Sequence, residues 1–419
     1  MRSDSSFGPK FSAEQGVFAL LLLLGLYFPT STNGEHSGLL VLLAFAVLLG
    51  LLAYLLVKRG NRRGSAASIA LPLMIVLSIC TFCALFNGPF QFDWGVFTKF
   101  TALAMILALD LRSAILSRVA RGAFVVANLI NIVLGIGVLV GNEWVGQFLP
   151  TYYWSFYPEL MPSMMTWHKP VLSFGTHASA GFFLYLFFWI NWEAYKKRSS
   201  RLSLVLTIGN LVLLVGLASF TSLALGAVAV TQIGVWYWQR NRRLFVGVAI
   251  SAVLMISAAA ILFASEIEVL RSIPQLTEGV FLNSDLNGPL GRFGPGGTSR
   301  KTVSYVIQHP LSPIGFAIPS EAAGSGAALG DSGILENLLR GSVPGLVLIY
   351  FGLYQFLRFN LLSRRHALTL FLVIVTFEAG FSTLIYIRAL YLLPFFVVYL
   401  NDVTADHPVS SSAPECRDN

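Results

Sequence analysis

The stretch at 38–57 reads GLLVLLAFAVLLGLLAYLLV, twenty residues without a charge, and it stops at Lys58-Arg59-Gly60-Asn61-Arg62-Arg63. As a helix it is about 30 Å long, the thickness of a bilayer's hydrocarbon core. An uncharged run closed by a basic cluster is the pattern of a transmembrane helix whose basic end stays in the cytoplasm. The pattern recurs along the chain. Spans are expected near 16–30, 38–57, 67–87, 95–111, 123–141, 175–191, 202–218, 222–237, 244–264, 341–358, 367–384 and 386–401, about twelve in all. No small-residue cleavage site follows the first span, so it reads as an anchor, not a removed signal peptide.

Composition agrees. Of 419 residues, 55% are hydrophobic and only 11% charged, with a mean hydropathy of +0.71. Soluble domains carry about 25% charged residues, and so few charges cannot cover a surface facing water. A soluble enzyme, a disordered chain and a nucleic-acid-binding module are excluded. The expected class is an all-α polytopic membrane protein, with residues 1–419 as a single membrane domain. Three cysteines exclude a disulfide scaffold. Cys80-Thr-Phe-Cys83 has redox spacing, but it lies in a span without acidic or histidine neighbours and reads as packing.

Orientation follows from Lys and Arg. One side collects Arg2, Lys10, the 58–63 cluster, Arg112, Arg118, Arg121, Lys196, Lys197, Arg198 and Arg201. The same side holds Arg240, Arg242, Arg243, Arg358, Arg364, Arg365 and Arg417. The short loops of the other side hold only Lys99, Lys169 and Arg388. Both termini are therefore expected in the cytoplasm, with a cytoplasmic tail at 402–419, and the net charge of +8 is mostly topology signal. Two loops, 142–174 and 265–340, are long, and both face outward. Chemistry there would use a substrate already activated on the inner side, most simply one carried on a lipid.

In the first long loop, Tyr152, Tyr153, Trp154, Phe156, Tyr157 and Trp167 are dense. They suit sugar stacking, and equally the aromatic belt at a membrane interface. His168, Lys169 and His177 bracket the entry to the sixth span; a cation with imidazoles there suits a phosphate headgroup and proton transfer. In the second loop the glycine-rich stretches 288–297 and 324–333 lack the Gly-Lys-[Ser/Thr] of a phosphate-binding P-loop and read as flexible loop. Between them, 299–308 is expected as a short helix capped by Thr298 or Ser299, with Arg300 and Lys301 in its first turn. Cations there oppose the helix dipole, so anion binding explains them better. Asp331 stands where an N-cap should be before the next span. Glu378 and Arg388 fall inside apolar runs and are each other's expected partners.

Three segments resemble the superfamily of O-antigen and exopolysaccharide polymerases and O-antigen ligases (Wzy/WaaL). Lys169-Pro-Val-Leu-Ser-Phe-Gly-Thr-His177-Ala-Ser-Ala-Gly resembles that family's Arg-x-x-Gly-Thr-Phe-x-[His/Asn]-x-Asn segment. Ser299-Arg300 followed by His309-Pro-Leu-Ser-Pro-Ile-Gly-Phe316 resembles its Ser-Arg … Pro-Leu-x-Gly-x-Gly stretch. Asp331-Ser-Gly-Ile-Leu-Glu-Asn-Leu-Leu-Arg-Gly-Ser-Val-Pro-Gly345 looks like its [Asp/His]-[Asn/Ser]-x-Tyr-Leu … Gly-x-x-Gly run. The order holds over roughly 165–360. Lys169 stands where the family has Arg. Asp331-Ser332 stands where ligases carry His-Asn, which favours polymerase.

The resemblance implies a GT-C-like helical fold and a metal-independent glycosyltransferase of the bacterial inner membrane, without cofactor. It would polymerise oligosaccharide repeat units carried on undecaprenyl pyrophosphate. A chain-length regulator and a flippase are the implied partners. On that reading Arg300, Lys169 and Arg388 cradle the pyrophosphate, with Arg292 as a further candidate, and Asp331 or His177 takes the acceptor's proton. The alternatives are an O-antigen ligase acting on lipid A core, and a transporter or flippase. Against the transporter, the loop after the sixth span is short and the long loop is external.

Overall fold

The computed structural model describes residues 13–27, 73–79, 81–82, 92–111, 116, 118–153, 160–240, 298–310, 313–318, 332–380, 382–384 and 386–405. They form an all-helical structure. The helices are α1 (Ala13–Tyr27), α2 (Trp94–Leu107), α3 (Arg118–Leu139), α4 (Glu143–Tyr152), α5 (Leu160–Thr166), α6 (His177–Arg198) and α7 (Arg201–Gly216). They continue as α8 (Phe220–Arg240), α9 (Thr298–Gln308), α10 (Gly333–Asn360), α11 (Arg364–Glu378) and α12 (Ile387–Thr404). The expected spans 38–57 and 244–264 lie outside the described residues. Of 67–87, residues 73–79 and 81–82 are described and helical.

Helix α6 is the axis of the bundle. Every residue from Ser179 to Trp192 is buried, as expected of a helix apolar all round, and α7, α8 and α12 pack on it. Helix α3 is two-faced. Ala120, Phe124, Ala127, Asn128, Asn131, Gly135 and Val138 point inward, while Val126, Leu129, Val133 and Ile136 lie exposed on its other side. Val205, Ile208 and Val212 on α7, Val343, Val347 and Phe351 on α10, and Leu368 and Leu372 on α11 are exposed in the same way. An outward surface of this kind is matched to hydrocarbon, because water would penalise it. Among the described residues two helices, α3 and α10, are long and apolar enough to cross a membrane; α2, α7 and Phe18–Tyr27 of α1 are shorter apolar helices.

Polar side chains join the helices from inside. Asn191 and Asn210 both donate to Asn128 Oδ1, at 2.7 and 2.9 Å, tying α6 and α7 to α3. Apolar surroundings leave such amides no water, so they find each other. Close approach of α3 and α7 uses glycine. A Cβ at Gly135 would lie 2.5 Å from Leu213, and one at Gly209 2.6 Å from Ile132.

Contacts between helix ends mark two distinct ends of the bundle. At the basic end, Arg121 forks onto Asp402 with contacts of 2.8 and 2.6 Å. Asn360 there accepts from Leu111 N at 2.6 Å and donates to Leu109 O at 3.0 Å. The expected tail therefore begins later than 402, because Asp402 is helical and paired. The other end carries the C-terminus of α1, the N-termini of α2, α6 and α12, and the helices α4, α5 and α9.

Three expectations change here. The segment 142–174, expected as a long outward loop, carries helical structure of its own. It holds α4, capped by Asn142 Oδ1 accepting from Val145 N at 3.2 Å, then α5 and the single 3-10 turn Leu172–Phe174. Helix α4 buries Val145 and Leu149 and exposes Trp144 and Tyr152, the pattern of a helix lying in an interface. Helix α10 begins at Gly333, not 341, and is broken at Ser342 (φ 56°, ψ −169°) into a half-helix and a longer helix. Its cap is Ser332, whose Oγ accepts from Leu335 N at 3.4 Å. Finally, α11 stops at Glu378, because that carboxylate turns back to collect the Leu384 amide.

Candidate functional site

The break in α10 has a local cause. Pro344 has no N–H, and positive φ at Ser342 interrupts the ladder, so the carbonyls of Leu339 and Arg340 lose their helical partners. Residues 313–318 replace them. Ile314 N donates to Leu339 O at 3.1 Å and Gly315 N to Arg340 O at 2.9 Å. The same segment reaches α2, where Asp93 N donates to Phe316 O at 2.6 Å, and residue 81, where Phe316 N donates to Thr81 Oγ at 2.9 Å. Gly315 has φ +57°, and a Cβ there would sit 2.5 Å from Thr81 Cα. Only glycine meets both demands. The Pro-Ile-Gly-Phe part of the family-like stretch is thus a plug clamped between α2 and the break.

Arg340 locks this plug from below. Its side chain is 1% exposed. Nη1 donates to Gly315 O at 3.1 Å and Ala317 O at 3.4 Å. Nε bonds Glu336 one turn earlier at 3.1 Å, and Nη2 reaches Asp93 at 3.4 Å. Lys99, on α2, lies within electrostatic reach of Glu336, Asp93 and Arg340. The second oxygen of Glu336 accepts from Ser382 Oγ at 3.0 Å. Glu378, fully buried, accepts from Tyr350 Oη at 3.2 Å and Asn337 Nδ2 at 3.4 Å as well as from the Leu384 amide. Ser332 Oγ donates to the Glu378 carbonyl at 3.1 Å. The half-helix 333–341 is therefore fastened on both sides through charged and polar groups.

Arg388 occupies a neighbouring corner. It is 3% exposed and donates from Nη1 to the carbonyls of Gly25 and Leu26, the last turn of α1. A cation at a helix C-terminus meets both orphan carbonyls and the negative dipole end. Its guanidinium also lies 5.9 Å from the Tyr153 ring centre. Burial pushes the Tyr153 phenol up, and the Arg388 charge partly opposes that. Tyr153 Oη donates to Tyr27 O at 2.9 Å, and Tyr386 Oη to Phe174 O at 2.8 Å. The expected pairing of Glu378 with Arg388 is replaced by these separate attachments.

The 167–177 segment closes the same corner. His168 (φ 51°) and Leu172 (φ 57°) take left-handed conformations, so the chain turns sharply twice before α6. Lys169 Nζ lies 5.2 Å over the Trp167 ring, a cation–π placement that leaves the ammonium near the surface. His177 is the first residue of α6, half-buried, next to the cap Thr176, whose Oγ1 accepts from Ser179 N at 3.2 Å. Helix α9 carries Arg300 and Lys301 exposed and buries Ser299 and Thr302. It packs on α10, with Tyr305 and Val306 against Ile314, Ala317 and Leu339. Arg300 is thus held over the half-helix, while Lys169, His177 and Arg388 share the α1–α6–α12 corner of the same end. Arg292 and Asp331 lie outside the described residues.

Sequence reasoning passed over Asp93, Lys99, Glu336, Arg340 and Ser382. A signal was present: Glu336 and Arg340 sit four apart, one helical turn, in an otherwise apolar run that Pro344 must interrupt. Among the described residues no three or more His, Cys, Asp or Glu side chains gather as a metal site would require. No family model, no curated protein and no solved structure matches the chain.

Proposed function

We propose that the chain is an inner-membrane protein of about twelve spans whose basic end faces the cytoplasm. On this reading it polymerises lipid-linked oligosaccharide repeat units at the opposite, periplasmic end. The observation that supports the reading is that Arg300, on a helix packed on the broken α10 with its plug 313–318, and Lys169 and His177, at the α1–α6–α12 corner, lie at the end away from the basic loops. The reaction joins an acceptor hydroxyl oxygen to the donor's anomeric carbon, while the bond from that carbon to pyrophosphate breaks and its electron pair leaves with the phosphate. The hydroxyl proton goes to Asp331 or His177. The difficulty is the departing charge, and guanidinium and ammonium groups placed where it develops lower that barrier.

The burial of Arg388 assigns it a different part from that of Arg300. Bound to the α1 carbonyls, it fixes the corner in which Lys169 and His177 sit. Arg300, exposed on a helix packed over the plug, is the phosphate ligand of first choice. Arg300→Ala should abolish polymer at unchanged protein level, and Arg300→Lys should recover little, because an ammonium cannot fork onto phosphate. Lys301→Ala should be mild. Equal loss at both positions would mean that the segment's folding, not phosphate binding, had been disturbed.

A further inference from the structure

Helices α3 and α5 end in the same way. After α3, Gly141 N donates to Val138 O at 3.0 Å and Asn142 N to Gly137 O at 2.8 Å. After α5, His168 N donates to Met165 O at 3.0 Å and Lys169 N to Met164 O at 2.9 Å. Each is the paired closure of a helix around one left-handed residue, a position where glycine is the usual choice. Gly141 (φ 70°) meets that expectation, and His168 (φ 51°) does not. A residue with a Cβ is disfavoured in this conformation, so the imidazole must contribute something glycine would not.

Its contribution lies between the two turns. A Cβ on Gly141 would fall 2.6 Å from His168 Cε1, and 3.3 and 3.4 Å from the ring nitrogens. The ring therefore fills the notch that this glycine leaves, and ties the turn before α4 to the turn after α5. Lys169 comes next in the chain. Its N–H is taken by Met164 O, and its carbonyl accepts from Val171 N at 2.7 Å across Pro170. Beyond Pro170, Leu172 is left-handed again (φ 57°) and fully buried. The carbonyl of Phe174 then accepts from Tyr386 Oη at 2.8 Å and Ser179 Oγ at 2.7 Å. Both backbone groups of Lys169 are thus engaged, between two strained residues. Strain of this kind persists only where the surroundings over-determine it, and it gathers at ligand clamps. The Lys169 ammonium itself rests over Trp167, a half-exposed indole at the surface.

We infer that His168 is a positioning residue: its ring, seated on Gly141, sets where the Lys169 ammonium meets the pyrophosphate of the lipid-linked substrate. This role rests on the proposed glycosyl transfer and deepens it. Packing alone needs no left-handed histidine, since a residue in an ordinary conformation can fill a notch. Placing the ring directly before Lys169 couples the notch to the cation.

The test uses the full chain in detergent, with lipid-linked repeat units extracted from a strain lacking it. His168→Gly keeps the left-handed turn without strain and removes the ring. Its melting temperature should equal or exceed that of the wild type. Its kcat should fall on the order of tenfold with KM within about twofold, because a displaced ammonium misses the charge developing on the leaving phosphate. In a Lys169→Ala background His168→Gly should cause no further loss. His168→Ala keeps the strain without the ring, so it should lose the same activity and melt below His168→Gly. Unchanged kcat in His168→Gly, an additive loss in the double variant, or a loss of activity tracked by a loss of melting temperature overturns the proposal. Arg300→Ala, measured in parallel, separates the two readings. No turnover by the wild type, or full turnover in both Arg300→Ala and Lys169→Ala, overturns the proposed reaction and this role with it. Turnover lost in Arg300→Ala but kept in His168→Gly overturns the role of His168 alone.

Discussion

Replacing Arg340 by Met should destabilise the protein strongly. The side chain is 1% exposed, and it holds Glu336, Asp93 and two carbonyls of the plug at once. Asp93 is 23% exposed and can turn to water, but Glu336, at 9%, cannot. The loss is therefore that of a broken buried pair, about 3–5 kcal/mol, most of it from the carboxylate left behind. Arg340→Lys should recover part, because one ammonium can meet Glu336 but cannot also fork onto Gly315 and Ala317. Adding Glu336→Gln to Arg340→Met should restore some stability, since it removes the stranded charge. The assay is the apparent melting temperature of detergent-purified protein, read as monodisperse protein surviving a heat step. The single variant should fall on the order of 5 °C. A melting temperature equal to wild type, or a double variant worse than the single, would refute the account of Arg340 as the lock of the plug.

Three further outcomes are expected. Gly315→Ala should cost about 2 kcal/mol or more in the same assay, from left-handed backbone strain plus overlap with Thr81. Gly122→Ala, where a Cβ meets nothing within 4 Å, should be neutral or slightly stabilising. Single cysteines in a chain without Cys80, Cys83 and Cys416 should report the topology: positions 160 and 320 should label in intact cells, 60 and 240 only after permeabilisation. The reverse pattern would put the proposed site in the cytoplasm.

Where helices run was legible because apolar residues crowd into runs closed by charges. Helices α6 and α7 start and stop within a few residues of the expected spans, apart from the basic last turns of α6. The short helix carrying Arg300 was expected at 299–308 and occurs at Thr298–Gln308. The half-helix at 333 was not legible by hydropathy, because Glu336 and Arg340 lower it, and only the fold reveals that each charge is satisfied internally. The partner of Arg388 was beyond sequence reasoning for another reason. The nearest opposite charge is Glu378, but the guanidinium binds carbonyls at Gly25 and Leu26, far away in the chain. Backbone acceptors carry no residue signature. The helices α4 and α5 were missed because aromatic and proline-rich sequence near a membrane reads as loop. The cap Asn142 and the inward Val145 and Leu149 of α4 were the signs that could have shown otherwise.

The central claim is the step at which the protein acts, and the lipid-linked material left by its loss measures that step directly. A strain lacking the chain should accumulate single repeat units on undecaprenyl pyrophosphate at the outer leaflet, because each step consumes the product of the one before. Single units trapped on the inner leaflet would identify a transporter. Long carrier-linked chains in the null strain would contradict polymerisation and identify a ligase.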